Sequence, residues 1–168
     1  MDKNVTMRSV SKEEYGKVRE LAETIWPVCY KDILSTEQIK YMLEMMYSQD
    51  VIAKECAEEV HYYLVEAQGD VAGYLAWGPW HGVPKTAKLH KLYLLPEKQG
   101  RGIGSAVIDL VKQQLKNQGV CRLRLNVNRR NSQAIKCYTA NGFTMVQLEN
   151  NDIGNGFFMT DYVMEVKI

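Results

Sequence analysis

The spacing of apolar residues changes several times along the chain, and each change predicts a different secondary-structure element. Residues 5–10 alternate weakly as a first strand, and apolar residues at helical spacing follow until Pro27, where we expect the helix to stop. Residues 35–49 open with a Ser-Thr capping signal and carry one apolar face, and residues 50–59 predict a further turn or two of helix. The chain therefore starts with a strand and a helical segment.

Period-two alternation then predicts a series of strands in the rest of the chain. They occupy residues 61–67, 71–78, 87–95, 121–128, 143–149 and 157–168. Turn-forming residues at 69–70 lie between the first two of these strands. The first two strands are therefore expected to pair as an antiparallel hairpin.

Helical spacing returns twice among these strands. One helix falls within residues 103–119, and another is capped by Asn131 or Ser132 and ends near Gly142. The order is strand, helices, three strands, helix, strand, helix and two strands. It predicts an α/β (α+β) fold with a largely antiparallel sheet and one parallel crossover near residues 88–128.

Length, charge and cysteine content narrow the class of protein. A chain of 168 residues fits a single domain, residues 1–168. The 20 acidic and 21 basic residues nearly cancel, so no net charge favours binding to nucleic acid or to a membrane surface. The charged N-terminus lacks the apolar core of a signal peptide, so we expect a soluble, cytoplasmic protein. Four scattered cysteines without a C-x-x-C pair predict reduced thiols, with neither a disulfide framework nor a bound metal.

Three glycines, Gly100, Gly102 and Gly104, lie between a predicted strand and a predicted helix. The first backbone N–H groups of a helix lack internal partners and carry the positive end of its dipole, so such a loop can bind a phosphate. Glycine lets the anion approach the backbone closely. A flexible turn that leads into a surface helix is the purely structural alternative.

Two known phosphate-binding motifs do not fit this loop. The nucleoside-triphosphate loop needs Lys-Ser or Lys-Thr after its glycines, and neither follows here. The dinucleotide fingerprint would run through Gly100, Gly102 and Ser105, and its ribose-binding acid is replaced by Asn126 and Asn128 at the end of the next strand. Both assignments therefore fail.

The pattern that remains is Gln99-x-x-Gly102-x-Gly104, directly after a strand and before a helix. The stretch "LYLLPEKQGRGIGSAVI" resembles the acetyl-coenzyme-A signature of the GNAT N-acetyltransferase superfamily, and "RLRLNVNRRNSQAIKCYTANGF" is similar to the strand and helix that follow it in that family. The resemblance is sharp over about residues 86–145. It implies the GNAT fold, a mixed, mostly antiparallel sheet of six to seven strands flanked by about four helices.

The resemblance also implies how the donor would be bound. Backbone groups at the end of the strand would contact the pantetheine arm, and the loop would hold the pyrophosphate of acetyl-coenzyme A. The implied cofactor-binding residues are Leu92, Tyr93, Leu94, Gln99, Gly100, Arg101, Gly102, Ile103, Gly104, Ser105 and Asn131. For Asn131, a structural helix cap and a cofactor contact are both open, and the two do not exclude each other.

Acetyl transfer from a thioester needs a neutral amine and a proton for the departing thiolate. The resemblance implies that Tyr138 is the general acid, although periodicity alone makes it a core aromatic. The base is open between His90, on the strand before the loop, and Glu66, near the end of an earlier strand. Cys137 has no nearby histidine to activate it, so we expect direct transfer in a ternary complex instead of an acyl-cysteine.

Residues 24–48 and 76–85 would shape the acceptor pocket, by the same resemblance. They carry aromatic and acidic residues that suit an organic cation, namely Trp26, Tyr30, Tyr41, Trp77, Trp80, Asp32, Glu37 and Glu44. Each of these has packing on the sheet as its structural alternative. The chain is also similar overall to small bacterial members of the family that are spermine/spermidine acetyltransferase-like.

The sequence therefore predicts an acetyl-coenzyme-A-dependent acetyltransferase that acts on a primary amine of a small molecule, with a polyamine as the favoured acceptor. Two alternatives are an acetyltransferase for protein or peptide α-amines and a non-catalytic acetyl-coenzyme-A sensor module. A homodimer is allowed, and neither nucleic acid nor a membrane is expected as a partner.

Overall fold

The computed structural model describes residues 4–168 and contains seven strands and five α-helices within them. The strands are β1 Val5–Ser9, β2 His61–Ala67, β3 Asp70–Pro79, β4 Thr86–Leu94, β5 Arg122–Asn128, β6 Thr144–Gly154 and β7 Phe157–Lys167. The helices are α1 Tyr15–Cys29, α2 Thr36–Tyr47, α3 Gln49–Ala57, α4 Ile103–Asn117 and α5 Ser132–Ala140. The mixed fold class is confirmed. The helix count exceeds the expected four by one, because the Ser48 side chain accepts a hydrogen bond from the Val51 N–H and starts α3 as a separate helix.

All seven strands form one sheet in the order β1-β2-β3-β4-β5-β7-β6. Neighbouring strands are antiparallel except β4 and β5, which pair in parallel and are joined through α4. The predicted hairpin and the predicted parallel crossover are both confirmed. None of the helices in residues 4–168 is long and apolar enough to cross a membrane.

The prediction that Pro27 stops the first helix is wrong. Helix α1 continues through Pro27 to Cys29, and the Tyr30 N–H still donates to the Trp26 carbonyl at 2.9 Å. Proline removes one intrahelical hydrogen bond, but Ile25 and Trp26 are almost fully buried against the sheet. Packing of this apolar face offsets the local cost of the proline.

Two apolar clusters cover the two faces of the sheet. One lies between the sheet and α4 and α5, and it includes alternate residues of β5, namely Leu123, Leu125 and Val127. The other lies between the sheet and α1 to α3. Residues of β5 that alternate with the leucines, such as Asn126, therefore face the same side of the sheet as α1 to α3.

The sheet opens between β4 and β5, and this opening positions the site. In the β3–β4 register Leu89 pairs with Trp77 and Lys91 pairs with Ala76, so His90 is an extra residue in a bulge. The parallel pairing of β4 with β5 ends at Leu89, whereas β5 stays paired with β7 as far as Asn128. Beyond Leu89 the two central strands separate and leave a cleft.

Candidate active site

A cavity of about 400 Å³ occupies the cleft between β4 and β5. Its walls come from the second half of β4, the glycine loop, the first residues of α4, the inner face of α5 and the end of α1. The predicted site residues that line it are His90, Leu92, Tyr93, Leu94, Gln99, Gly100, Gly102, Gly104, Ser105, Asn131 and Tyr138. Two sequence segments about thirty residues apart thus meet in one cavity.

Three predicted residues do not line the cavity. The Ile103 side chain is buried in the core beneath α4, and Arg101 is exposed on the loop. Glu66 lies on β2 and accepts a hydrogen bond from Arg8 Nε at 2.9 Å. Because its carboxylate faces Arg8 outside the cleft, Glu66 is not in a position to act as the base.

The glycine loop presents backbone donors to the cavity. Gly100 and Gly102 adopt left-handed φ angles of 72° and 75°, which favour glycine. The first hydrogen bond of α4 runs from the Ala106 N–H to the Gly102 carbonyl, so the amides of Ile103, Gly104 and Ser105 have no intrahelical acceptor. Together with the helix dipole, these amides suit a diphosphate.

Gly104 keeps a narrow slot open between α4 and α5. A Cβ atom added at this position would lie 3.6 Å from Cys137 Sγ and 3.9 Å from Leu94 Cδ1. Such distances are ordinary contacts, so a methyl group fits but fills the space. The slot is therefore free only because residue 104 has no side chain.

Glutamine side chains connect the loop to its surroundings. Gln99 Nε2 donates to the Leu94 carbonyl at 3.1 Å, and Gln133 Nε2 donates to Gln99 Oε1 at 3.2 Å. This chain of hydrogen bonds joins the end of β4 to the start of α5 across one side of the cavity. The Gln99 side chain thus holds the loop in place, while the loop's own amides face the cavity.

Asn131 combines its two predicted roles at one position. Its Oδ1 accepts a hydrogen bond from the Ala134 N–H at 3.2 Å, so the helix cap is confirmed. Its Nδ2 points toward Cys29 Sγ at 3.8 Å, on the cavity side. The cap therefore fixes an amide at the cavity wall, and its contact with a cofactor stays a prediction.

Tyr138 carries a hydroxyl that makes no hydrogen bond with any other residue in 4–168. The side chain is 9% exposed, and its ring packs edge-on against Phe143 with centroids 5.6 Å apart. Burial raises the pKa of the phenol above its usual value, and the neighbouring Cys137 and Cys29 raise it further. The hydroxyl is therefore protonated at neutral pH and free to donate.

Cys137 also lines the cavity, but its chemistry is unsuited to a covalent route. Burial raises the pKa of the Cys137 thiol above its usual value. The thiol is then protonated at neutral pH, and the thiolate is the nucleophilic form. This agrees with the expectation of direct transfer.

His90 lies in the β4 bulge, where it is mostly buried. Burial and the positive charges of Lys88 and Lys91 lower its pKa to about 3. Proton transfer to such an imidazole from an alkylammonium of pKa near 10 is unfavourable by about seven pKa units, which is a free energy of roughly 10 kcal/mol. The neutral His90 side chain can accept a hydrogen bond, but it is a poor proton acceptor.

The low pKa of His90 predicts a pH-dependent loss of stability. Between about pH 6.5 and pH 3 the unfolded chain binds a proton at His90 that the folded protein does not, so stability falls as pH falls. Urea unfolding should show that the change from pH 7 to pH 4.5 costs wild type about 2 kcal/mol more than it costs His90→Gln. The exposed His61→Gln variant should follow wild type, and a parallel loss in all three proteins would contradict the prediction.

The predicted acceptor residues are mostly not at the cavity. Of the aromatic candidates only Tyr30 lines it, and the Tyr30 hydroxyl shares a 2.8 Å hydrogen bond with the Tyr93 hydroxyl. Trp26 is buried in an aromatic cluster, and Trp77 and Trp80 line a different cavity at the β3–β4 loop. The remaining candidates, Tyr41, Asp32, Glu37 and Glu44, do not line the cavity at all.

Three polar residues beside the cavity were not predicted from the sequence as site residues. Asn126 on β5 lines it, and its Nδ2 lies 2.9 Å from Glu149 on β6 and 3.5 Å from Asp161 on β7. One signal was visible, because Asp161 is the acid in the otherwise uncharged stretch 157–164 of β7. Its proximity to Glu149 and Asn126, however, depends on the pairing of three strands.

Comparison with known proteins agrees with this arrangement. Residues 17–143 match the model of the Acetyltransferase (GNAT) family. The chain belongs to the GNAT acetyltransferase family. Its cosubstrate is therefore acetyl-coenzyme A, the donor used by this family.

Several relatives of this GNAT protein are similar over nearly their full length. Spermidine N(1)-acetyltransferase of Thermoplasma acidophilum is 25% identical over 154 residues, which cover 89% of this chain and 94% of that protein. The crystal structure of PaiA N-acetyltransferase from the same organism, in complex with coenzyme A, has a TM-score of 0.80 at 25% identity and covers 98% of this chain and 99% of its own.

The fold also matches a GNAT enzyme with a different acceptor. The ribosomal-protein-S18-alanine N-acetyltransferase of Escherichia coli has a TM-score of 0.71 at 19% identity, over 98% of this chain and 94% of that one. The same fold thus occurs in enzymes named for a polyamine and for an alanine of a ribosomal protein. Fold alone does not select the acceptor.

Proposed function

We propose that this protein transfers the acetyl group of acetyl-coenzyme A to a primary amine of a small molecule, with a polyamine as the favoured class. The observation that carries the proposal is the unpaired Tyr138 hydroxyl, which faces the same cavity as the free amides at the start of α4. The similarity to a spermidine acetyltransferase over 89% of the chain supports the acceptor class.

Acetyl-coenzyme A, when bound, supplies an activated acetyl group as a thioester. The amides of Ile103, Gly104 and Ser105 would bind its diphosphate, because they lack intrahelical acceptors. Beyond Leu89, the edge of β4 that faces β5 pairs with no strand within residues 4–168. Apart from the Leu94 carbonyl, which accepts from Gln99, its backbone groups would therefore be available to an amide-containing chain. The chain's own residues thus fit both the charged and the amide parts of the donor.

Tyr138 would act on the departing sulfur. Its hydroxyl is protonated because burial raises its pKa, and it can donate a hydrogen bond to the developing thiolate. A free thiol has a pKa near 8.5, which is below that of the buried phenol, so the phenol stabilises the thiolate without losing its proton permanently. The proton released by the amine can then complete the thiol.

The acceptor must lose a proton before it attacks. Glu66 lies outside the cleft, and the pKa of His90, about 3, is too low for this purpose. We therefore propose that water in the cleft relays the ammonium proton to the surrounding solvent and does not keep it, with the neutral His90 as a hydrogen-bond acceptor for that water. Direct transfer in a ternary complex needs no acyl-enzyme, which agrees with the protonated state of Cys137.

The proposal covers residues 1–168 as one catalytic domain, with donor binding in about residues 86–145. Residues 1–3 lie outside the described part of the chain. A homodimer and a cytoplasmic location stay predictions.

The test is thiol release from acetyl-coenzyme A with a panel of polyamines, monoamines, amino acids and short peptides. We expect release to depend on the amine and to be fastest with the polyamines, as measured by kcat/KM. Fastest release with peptides would favour an α-amine acetyltransferase. Tight binding of coenzyme A without release for any amine would instead indicate a sensor module and overturn the proposal.

A further inference from the structure

Two carboxylates are held together beside the cavity, on the sheet face that also carries α1 to α3. Glu149 and Asp161 are directly opposite each other in the β6–β7 register. Asn126 Nδ2 lies 2.9 Å from Glu149 Oε2 and 3.5 Å from Asp161 Oδ2, so one amide bridges both. Glu149 also accepts a hydrogen bond from Asn151 Nδ2 at 3.3 Å. We call Asp161 and Glu149 the acidic pair.

Both oxygens of Glu149 have amide donors, including Gln147 Nε2 at 3.5 Å, but Asp161 is left with an unpartnered oxygen. Asp161 is only 8% exposed, and its Oδ1 is buried without any hydrogen-bond partner. The Oδ1 atom of Asn126 is buried and unpartnered in the same way. Within residues 4–168, no lysine, arginine or histidine nitrogen lies within 4.0 Å of either carboxylate. Buried polar atoms without partners are costly, so a ligand that supplies donors would be stabilised here.

The nearby cations leave one negative charge uncompensated. Arg124 donates to Glu165 at 2.6 Å, which makes that pair neutral. Lys88 places its ammonium 5.5 Å from the centre of the Trp80 ring, and it can balance one carboxylate of the acidic pair at longer range. The acidic pair and Lys88 together therefore carry one net negative charge, which one further ammonium group would neutralise.

The charge state of Asp161 agrees with an incoming cation. Burial raises the pKa of Asp161, and the neighbouring Glu149 carboxylate raises it as well. A cation bound between the two carboxylates would favour their charged forms and offset this cost. An ammonium also supplies three N–H donors, which can satisfy Asp161 Oδ1 and Asn126 Oδ1 together.

We propose that the acidic pair and Asn126 bind a second ammonium group of the acceptor, so that the preferred acceptors are diamines and longer polyamines. The proposal rests on the acetyl transfer proposed above. Asn126 lines the cavity, and its Nδ2 lies 2.9 Å from Glu149 and 3.5 Å from Asp161, so the acidic pair lies directly behind this part of the cavity wall. The second ammonium would therefore bind a few ångströms from an amine held inside the cavity. A three- or four-carbon chain between two amines spans such a distance.

The test compares 1,4-diaminobutane with n-butylamine, which share a primary amine but differ in the second ammonium. Wild type should have a kcat/KM for the diamine at least about tenfold above that for butylamine. Asp161→Asn and Glu149→Gln should each lower this ratio about five- to tenfold through the KM of the diamine, with butylamine turnover unchanged. Asp109→Asn removes an exposed carboxylate on α4 and controls for net charge, so it should keep the wild-type ratio.

Lys88→Met should move the ratio in the opposite direction, because it removes the cation that competes with the ligand. Butylamine turnover reports folding in every variant, and Glu149 is less buried than Asp161, so its variant keeps the test valid if Asp161→Asn is unstable. The inference would be overturned if the carboxylate variants lost kcat/KM equally for both amines. It would also be overturned if both variants kept the wild-type ratio of kcat/KM for the diamine to kcat/KM for butylamine. Absence of release with any amine in wild type would overturn the proposed function instead.

Discussion

Replacing Tyr138 with phenylalanine lowers kcat by about a hundredfold or more and leaves the KM for acetyl-coenzyme A within about twofold of wild type. The expectation follows from the position of the hydroxyl, which lines the cavity and has no hydrogen-bond partner in the described chain. Removing it takes away a donor that would be used only when negative charge develops on the sulfur. Steady-state thiol release with the best amine of the panel measures both constants.

Stability separates this role from a structural one. A buried hydroxyl without a partner adds nothing to the folded state, so Tyr138→Phe should unfold at the same urea concentration as wild type or slightly above it. Tyr41→Phe is the matched control, because the Tyr41 hydroxyl donates to the Ile153 carbonyl at 2.7 Å and does not line the cavity. That variant should lose some stability and keep its kcat. An unchanged kcat in Tyr138→Phe would remove the tyrosine from the mechanism.

Replacing Gly104 with valine raises the KM for acetyl-coenzyme A by about ten- to a hundredfold, while the KM for the amine stays close to that of wild type. A Cβ at this position already contacts Cys137 Sγ and Leu94 Cδ1, at 3.6 Å and 3.9 Å. The additional methyl groups of valine extend further into the slot beside the free amides. The donor would then be held away from the start of α4.

Two further substitutions test whether the size of the side chain at position 104 limits donor binding. Gly104→Ala adds only the Cβ, which fits at ordinary contact distance, so its effect should be several times smaller than that of Gly104→Val. Ala106→Val places the same β-branched side chain on α4 outside the cavity wall and controls for a change in the helix itself. Similar increases in both KM values for Gly104→Val would mean that the loop does not bind the donor.

The proposed donor half of the site could be predicted from the sequence through the family resemblance, because the residues that carry the resemblance are close together in the chain. The loop glycines and the cap Asn131 act through local backbone geometry, and residue spacing in the sequence reflects local geometry.

The prediction that α1 stops at Pro27 failed because the outcome depends on contacts with residues that are distant in the sequence. Burial of Trp26 by distant strands outweighs a local signal, and such burial is not visible in the spacing.

The proposed acceptor half of the site depends on long-range strand pairing. Asp161 approaches Glu149 only because β6 pairs with β7 in one register, and that register shifts between Met145 and Gln147. No pattern in the sequence fixes such a shift. The pKa of His90 is likewise a property of the assembled site, because it depends on burial and on the charges of Lys88 and Lys91.

The separation of β4 from β5 divides the chemistry between two walls of the cleft. On the β4 side, the donor would be contacted by backbone groups, which are the same for almost any sequence. On the other side, the acceptor would be contacted by side chains of β5, β7 and β6, such as Asn126 and Asp161. Substitutions in the β6–β7 hairpin can therefore change which amine is accepted without rebuilding the donor site, and this hairpin is the natural segment to exchange when the enzyme is redesigned for a new amine.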